Sequence, residues 1–143
     1  MRETEGGDSM QITTDRPPSQ RGPEEWFTGA VWLDEIMVPP PASQSRLRVL
    51  SVHFTPGART AWHRHPVGQA LYVTEGAGLV QRRGDRVQLI RAGDTVWIEP
   101  GEWHWHGAGP ETFMTHLAVQ ETDEAGAAAE WAEHVSAEDY PGS

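Results

Sequence analysis

Glycine stands at positions 57, 68, 76, 84, 93 and 101, and most of these sit in turn-forming surroundings: Pro56-Gly57, Pro66-Val67-Gly68, Gly84-Asp85, Gly93-Asp94 and Pro100-Gly101. Proline presets one turn dihedral and glycine accepts the left-handed one, so each of these marks is a place where the chain can reverse. Stretches of seven to ten residues remain between them. That is too short for a helix of several turns but enough for a strand of about five or six residues. Short strands with turns at such regular spacing form a sandwich or a barrel, and the chain reads as all-β on that ground.

The stretches themselves alternate as half-buried strands do. From Arg46 to Thr55, Leu50, Val52 and Phe54 share one face while Val49, Ser51 and His53 share the other. Further strands are expected over residues 60–65, 70–75, 79–83, 86–90 and 95–98, at Trp103-His104-Trp105-His106, and over 112–120. In the last of these, Met114, His116, Ala118 and Gln120 fall on one face. Upstream, the aromatic and β-branched run from Trp26 to Leu33 reads as one or two strands, and its rings are assigned to a core or an interface. Downstream, Ala127 to Val135 predicts a short helix, with Trp131 and Val135 at i, i+4 docking on the β body. Residues 1–22 are polar and contain proline; they are expected to form a flexible arm, leaving 23–143 as one domain. Met10, behind an acidic leader, is a candidate start.

Composition removes several classes of function. There is no cysteine, hence no disulfide, thiolate metal site or cysteine nucleophile, and all 11 basic residues are arginine, which rules out Schiff-base chemistry on a lysine. A net charge of −10 argues against nucleic acid or an anionic membrane as partner. No apolar run approaches the ~20 residues of a membrane span. The first residues lack the apolar core of a secretory signal, so the expected location is cytoplasmic.

What the sequence offers instead is histidine. His63 and His65 are spaced i, i+2, and so are His104 and His106. On a strand that spacing puts both rings of a pair on one face. Neutral imidazole is the commonest protein ligand for first-row transition metals, and a side-chain amide oxygen can join it, so a metal site inside a barrel is expected. His53 lies away from the most apolar face of its strand and His134 lies in the C-terminal segment; both read as surface residues.

Two motifs carry a family resemblance. Gly57-x5-His63-x-His65-x3-Gln69-x6-Gly76 resembles the first cupin motif, with Gln69 where glutamate is usual. Gly93-x5-Glu99-x-Gly101-x2-His104 resembles the second, with Glu99 in place of proline and Ala108 in place of the final asparagine. The resemblance implies a cupin conserved β-barrel, a double-stranded β-helix or jelly roll, followed here by the short C-terminal helix. It puts His63, His65, Gln69 and His104 at the four ligand positions of one divalent transition metal ion. Nitrogen and oxygen ligands without a thiolate suit such an ion with two positions open. Manganese is the first expectation, with iron, nickel, cobalt and zinc as alternatives. Glutamine in place of glutamate leaves the ion its full +2 charge, which favours Lewis-acid chemistry.

The stretches 57–66, 97–107 and 114–120 further resemble small bacterial cupins with a His3Gln manganese site, some of which are hydroxynitrile lyases. The resemblance then implies a carbon–carbon lyase that cleaves a cyanohydrin to an aldehyde and cyanide and runs the reverse addition. His116 is its candidate general base and Gln120 the group that orients substrate or leaving group; His106 is a neighbour of the metal ligands or a cyanide-binding group. Leu50, Val52, Phe54, Trp62, Leu71 and Trp105 are candidates for the apolar wall. Two rivals stand beside this reading: a cupin dioxygenase acting on an enolisable small molecule, and a non-catalytic small-molecule-binding cupin. In every case the partner is a small molecule, and a homo-oligomer, dimer or tetramer, is expected.

Overall fold

The computed structural model describes residues 10–141; the leader ahead of Met10 lies outside the described residues. In chain order the strands are β1 (Gln20–Arg21), β2 (Phe27–Thr28), β3 (Val31–Met37) and β4 (Leu47–Phe54). Then come β5 (Arg59–Thr60), β6 (His63–Arg64), β7 (Gln69–Arg82) and β8 (Gln88–Arg91). The last four are β9 (Thr95–Ile98), β10 (His104–Ala108), β11 (Met114–Glu121) and β12 (Glu130–Trp131). No helix occurs among the described residues.

The strands form two layers that share β7. In the first layer the order is β1-β3-β4-β11-β7-β9, all antiparallel. In the second, β7 pairs with β8 and β10, β10 continues to β5 and β6, and β2 and β12 complete the edges. Gln69 to Gly76 serves the first layer and Ala77 to Arg82 the second, so the sheet curls over at this point into a half-barrel. The sequence predicts two strands here, over 70–75 and 79–83; the structure has one bent strand. Gly76 and Gly78 explain the difference. A Cβ at Gly76 would collide with the Phe113 carbonyl and one at Gly78 with the Gly107 carbonyl, so only glycine lets the neighbouring strands close in around the bend. A register shift between Thr115 and His116 opposite the bend adds to the curl.

The turn marks behave as expected: Gly57, Gly68, Gly76, Gly84, Gly93 and Gly101 all have positive φ. The C-terminal helix is a correction. Ala127 to Val135 runs extended, with Glu130 and Trp131 paired to Arg64 and His63. Beyond it the Ala132 N–H donates to the Trp62 carbonyl at 2.8 Å and the Trp62 N–H donates to the Glu133 carbonyl at 2.9 Å. The exposed edge of β6 satisfies the segment's backbone groups, which outweighs the helix propensity of an alanine-rich run. Trp131 then turns inward while Val135 packs elsewhere, so the two do not share a face.

There are two apolar clusters. The larger lies between the layers and includes Val31, Val52, Phe54, Leu71, Val73 and Met114. The smaller lies outside the second layer, where Trp62, Leu79, Trp105, Val135 and Tyr140 pack under the C-terminal segment. Alternation along β10 divides the two. His104, His106 and Ala108 face between the layers, while Trp105 faces outward, fully buried, with its indole N–H on Gln81 Oε1 at 2.7 Å. Trp62 and Trp105 therefore support the site from behind and do not form its wall as the sequence predicts.

Candidate metal centre

Three histidine side chains meet where β6, β10 and the turn after β6 approach one another. The His63 and His104 ring centroids are 4.2 Å apart, those of His63 and His65 5.0 Å, and those of His65 and His104 5.3 Å. Direct pairing of His63 with His104 across β6 and β10 sets the first of these distances. Gln69 opens β7 beside them, its side chain adjacent to His65.

The hydrogen bonds fix which atoms are free. His63 Nδ1 lies 2.8 Å from the Ala61 carbonyl, His65 Nδ1 2.9 Å from that of Ala128, and His104 Nδ1 2.9 Å from that of Glu102. A carbonyl oxygen only accepts, so each Nδ1 carries the hydrogen and each Nε2 presents a lone pair. Gln69 Nε2 donates to Gln120 Oε1 at 2.7 Å, which turns the Gln69 carbonyl oxygen the other way. His65 Nε2, His104 Nε2 and Gln69 Oε1 are buried with no partner. Buried acceptors without donors are costly, on the order of 1–3 kcal/mol each, and a cation among them removes that cost. The residues present therefore fit a divalent metal ion with nitrogen and oxygen ligands.

A second pair lies alongside. His106 and His116 come from β10 and β11, with His116 Nε2 3.0 Å from His106 Nδ1. Their outer nitrogens, His106 Nε2 and His116 Nδ1, are buried without partners. His106 is nearer the metal-ligand candidates than its sequence role implies: its ring nitrogen, with those of His63 and His104, makes a group within 4.8 Å of one another. What separates it from His65 is the second nitrogen. His65 is oriented by a carbonyl, as His63 and His104 are, whereas His106 is oriented by another imidazole.

Burial acts on all five rings. It holds His63 and His106 well below the ordinary imidazole range, helped by neighbouring imidazoles that oppose a second positive charge. Burial pushes His104 and His116 down to about 4 and lowers His65 as well, the last partly offset by the Ala128 carbonyl and Gln69. All five are neutral at pH 7, as metal ligands and proton acceptors must be.

Four of these five rings, His63, His65, His106 and His116, open onto a cavity of about 300 Å³ between the layers. His63, His65, Gln69, His106, His116 and Gln120 form its polar end, and Leu33, Leu50, Val52, Trp26, Phe27 and Trp131 its apolar end. His104 borders a different, larger cleft, lined also by Arg82 and Glu102. Phe54 and Leu71 lie in the core behind the cavity. Trp26 and Trp131 are the wall residues that sequence reasoning misses. Their indoles stack at 5.0 Å, and Trp131 also stacks on His63 at 4.3 Å. Nothing in the local pattern marks Trp131, because its place depends on the pairing of β12 with β6. His53 is on the outer face, with Nε2 2.8 Å from Asp34 Oδ2 and Nδ1 3.1 Å from Thr115 Oγ1, and His134 contacts Thr28.

Residues 50–118 match the family described as Cupin domain. Over 122 residues the chain is 54% identical to the (R)-mandelonitrile lyase of Granulicella tundricola, covering 85% of this chain and 91% of that protein. Among solved structures, a cupin-like protein from Thermotoga maritima is similar with a TM-score of 0.79 at 38% identity, over 90% of this chain and 94% of its own. A polyketide cyclase from Streptomyces resistomycificus shares the fold at a TM-score of 0.69 and 19% identity, over 91% of this chain and 89% of its own. No helix among the described residues is long and apolar enough to cross a membrane.

Proposed function

The chain belongs to the cupin family, and from that premise we propose that it is a metal-dependent carbon–carbon lyase of the hydroxynitrile lyase type. It would split a cyanohydrin into an aldehyde and hydrogen cyanide and catalyse the reverse addition. The observation that carries the reading is the set of buried, unpartnered acceptors beside a neutral histidine couple at the end of an apolar cavity. The (R)-mandelonitrile lyase relative supplies the reaction class.

In this reading His63, His65, Gln69 and His104 hold one divalent ion, manganese by the resemblance. When bound, that ion supplies Lewis acidity, which makes a substrate hydroxyl easier to deprotonate. The remaining work belongs to the chain. The His106–His116 couple takes the hydroxyl proton. Because the couple shares one hydrogen across 3.0 Å, one of its two outer nitrogens, His116 Nδ1 or His106 Nε2, is always an acceptor and the other a donor. The O–H electron pair becomes the carbonyl π bond, the C–C pair leaves with cyanide, and the couple returns the proton to give hydrogen cyanide. Trp26, Trp131 and Leu33 hold the apolar substituent and exclude water, and Gln120 keeps the polar end oriented. We place this activity in the cytoplasm, in a single domain over 23–143, with a small-molecule substrate and no nucleic-acid partner, in keeping with the net charge of −10.

The test is mandelonitrile cleavage by metal-replete protein, followed as benzaldehyde release. Turnover is expected. Oxygen uptake with a 1,3-diketone and no cleavage of mandelonitrile would replace the lyase with an oxygenase.

A further inference from the structure

The three histidines with a carbonyl on Nδ1 are not all oriented from nearby. His63 is held by the Ala61 carbonyl and His104 by the Glu102 carbonyl, each two residues back, so the local chain sets both bonds. His65 differs. Its carbonyl belongs to Ala128, 63 positions away in the C-terminal segment. The orientation of the third ring therefore depends on how that segment is held.

Ala128 follows a turn from Asp123 to Ala127, and one side chain closes it. Asp123 Oδ1 accepts from the Ala125 and Ala127 N–H groups, both at 2.9 Å. The Asp123 N–H donates to the Ala127 carbonyl at 2.8 Å, and the Gly126 N–H to the Asp123 carbonyl at 3.0 Å. A short acid that accepts from backbone N–H groups just ahead of it stabilises a turn that has little else to support it. Packing offers little here. Residues 124–127 are exposed, and Asp123, Ala127 and Ala129 border a hollow of about 450 Å³ shared with His65. On either side of the turn the chain is tied down. The Thr122 N–H donates to the Arg46 carbonyl at 3.0 Å, and Glu130 and Trp131 pair with Arg64 and His63. Between those ties, the turn sets the place of the Ala128 carbonyl.

We propose that Asp123 is a positioning residue of the metal centre. By closing this turn it holds the Ala128 carbonyl on His65 Nδ1, which leaves Nε2 a lone pair for the ion. The inference rests on His65 being a ligand, as in the proposed function. Without the Asp123 acceptor the turn opens, the carbonyl leaves Nδ1, and the hydrogen redistributes between the two ring nitrogens. A ring with its hydrogen on Nε2 cannot bind a cation there.

The ¹⁵N shifts of the histidine rings in the metal-free protein read the tautomer, and chelator competition reads manganese affinity. In wild type, His63, His65 and His104 all carry the hydrogen on Nδ1. Asp123→Ala is expected to move His65 alone toward the Nε2–H form and to weaken manganese binding by about tenfold, the lower end for a group behind a ligand. Asp123→Asn, whose amide oxygen still accepts both N–H groups, restores both readings. Glu130→Gln loosens the Arg64 ion pair on the same segment, leaves the turn whole and changes neither. A merely structural role would lower stability to urea without moving one ring's tautomer. Should Asp123→Ala unfold the chain, Gly126→Ala decides in its place: it strains the same turn at a φ of 90°, with open space around the added methyl. A His65 ring that keeps its Nδ1 hydrogen in the folded variant overturns the inference, as does an Asp123→Asn protein that behaves like Asp123→Ala. Wild type that binds no manganese overturns the proposed function instead, and the tautomer of the metal-free ring still decides the role of Asp123.

Discussion

Five buried histidines cluster at one end of the site, four of them lining the cavity, and they fall into two sets that differ by a single atom's partner. In His63, His65 and His104 the Nδ1 hydrogen is committed to a backbone carbonyl. In His106 and His116 the inner nitrogens face each other. Burial treats the two sets alike, depressing every ring below its ordinary range. The partner does not. A carbonyl fixes the tautomer permanently, which is what an ion-holding lone pair needs. A second imidazole leaves the tautomer free to change, which is what proton transfer needs. Burial makes these rings neutral; in the proposed function the neighbour decides what that neutrality serves.

The strongest way to break this comparison is to remove a member of the first set. His63→Ala is expected to lose bound metal by elemental analysis and to reduce turnover by about 10³-fold or more, beyond the 10–100-fold typical for a residue behind a ligand. His53→Ala is the matched control. Its hydrogen bond with Asp34 is on the outer face and partly exposed, so metal content is unchanged and stability shifts by no more than ~1 kcal/mol. Full metal in the His63 variant would end the assignment of the carbonyl-pinned set.

The second set has the opposite signature. His116→Gln is expected to keep its metal while kcat falls about 10²–10³-fold, the range of a lost general base. The same residue leaves a mark on stability. Its folded value of about 4 is below the ordinary 6.5, so between those pH values the unfolded chain takes a proton that the folded chain refuses. Its contribution is complete above pH 6.5 and is lost as pH falls toward 4, a decline of about 3 kcal/mol at most. Urea unfolding across that window should show a shallower decline in His116→Gln than in wild type. Equal slopes would mean that the ring is not held neutral by burial.

Legibility in the sequence followed locality. The turns could be read because each is written in two or three adjacent residues, and the histidine pairs because i, i+2 on a strand is itself a geometry. The C-terminal segment could not be. Its alanines favour helix, but the edge of β6, more than sixty residues away, supplies partners that only the folded sheet reveals. Trp62 and Trp105 were misdirected for a related reason: each is adjacent to an inward histidine and therefore points outward, a consequence of the same alternation that located the histidines. The continuity of β7 through Gly76 and Gly78 was hidden because glycine reads as a break when what it permits is a close approach.

A third kind of partner completes the comparison and gives its subtlest test. Gln69 has an oxygen and an amide end of nearly equal size, and only the oxygen can hold a cation. What turns it the right way is Gln120 Oε1, which accepts from Gln69 Nε2 across 51 positions of sequence. Gln120→Ala removes that acceptor and lets the Gln69 amide rotate, so metal affinity by chelator competition should weaken about tenfold. Gln120→Glu still accepts from the same NH2 group and should retain most of the affinity, which separates lost orientation from lost volume. If Gln120→Ala binds metal as tightly as wild type, the Gln69 oxygen is held in place by something other than this amide pair. The division between groups that orient ligands and groups that move protons would then rest on the histidines alone.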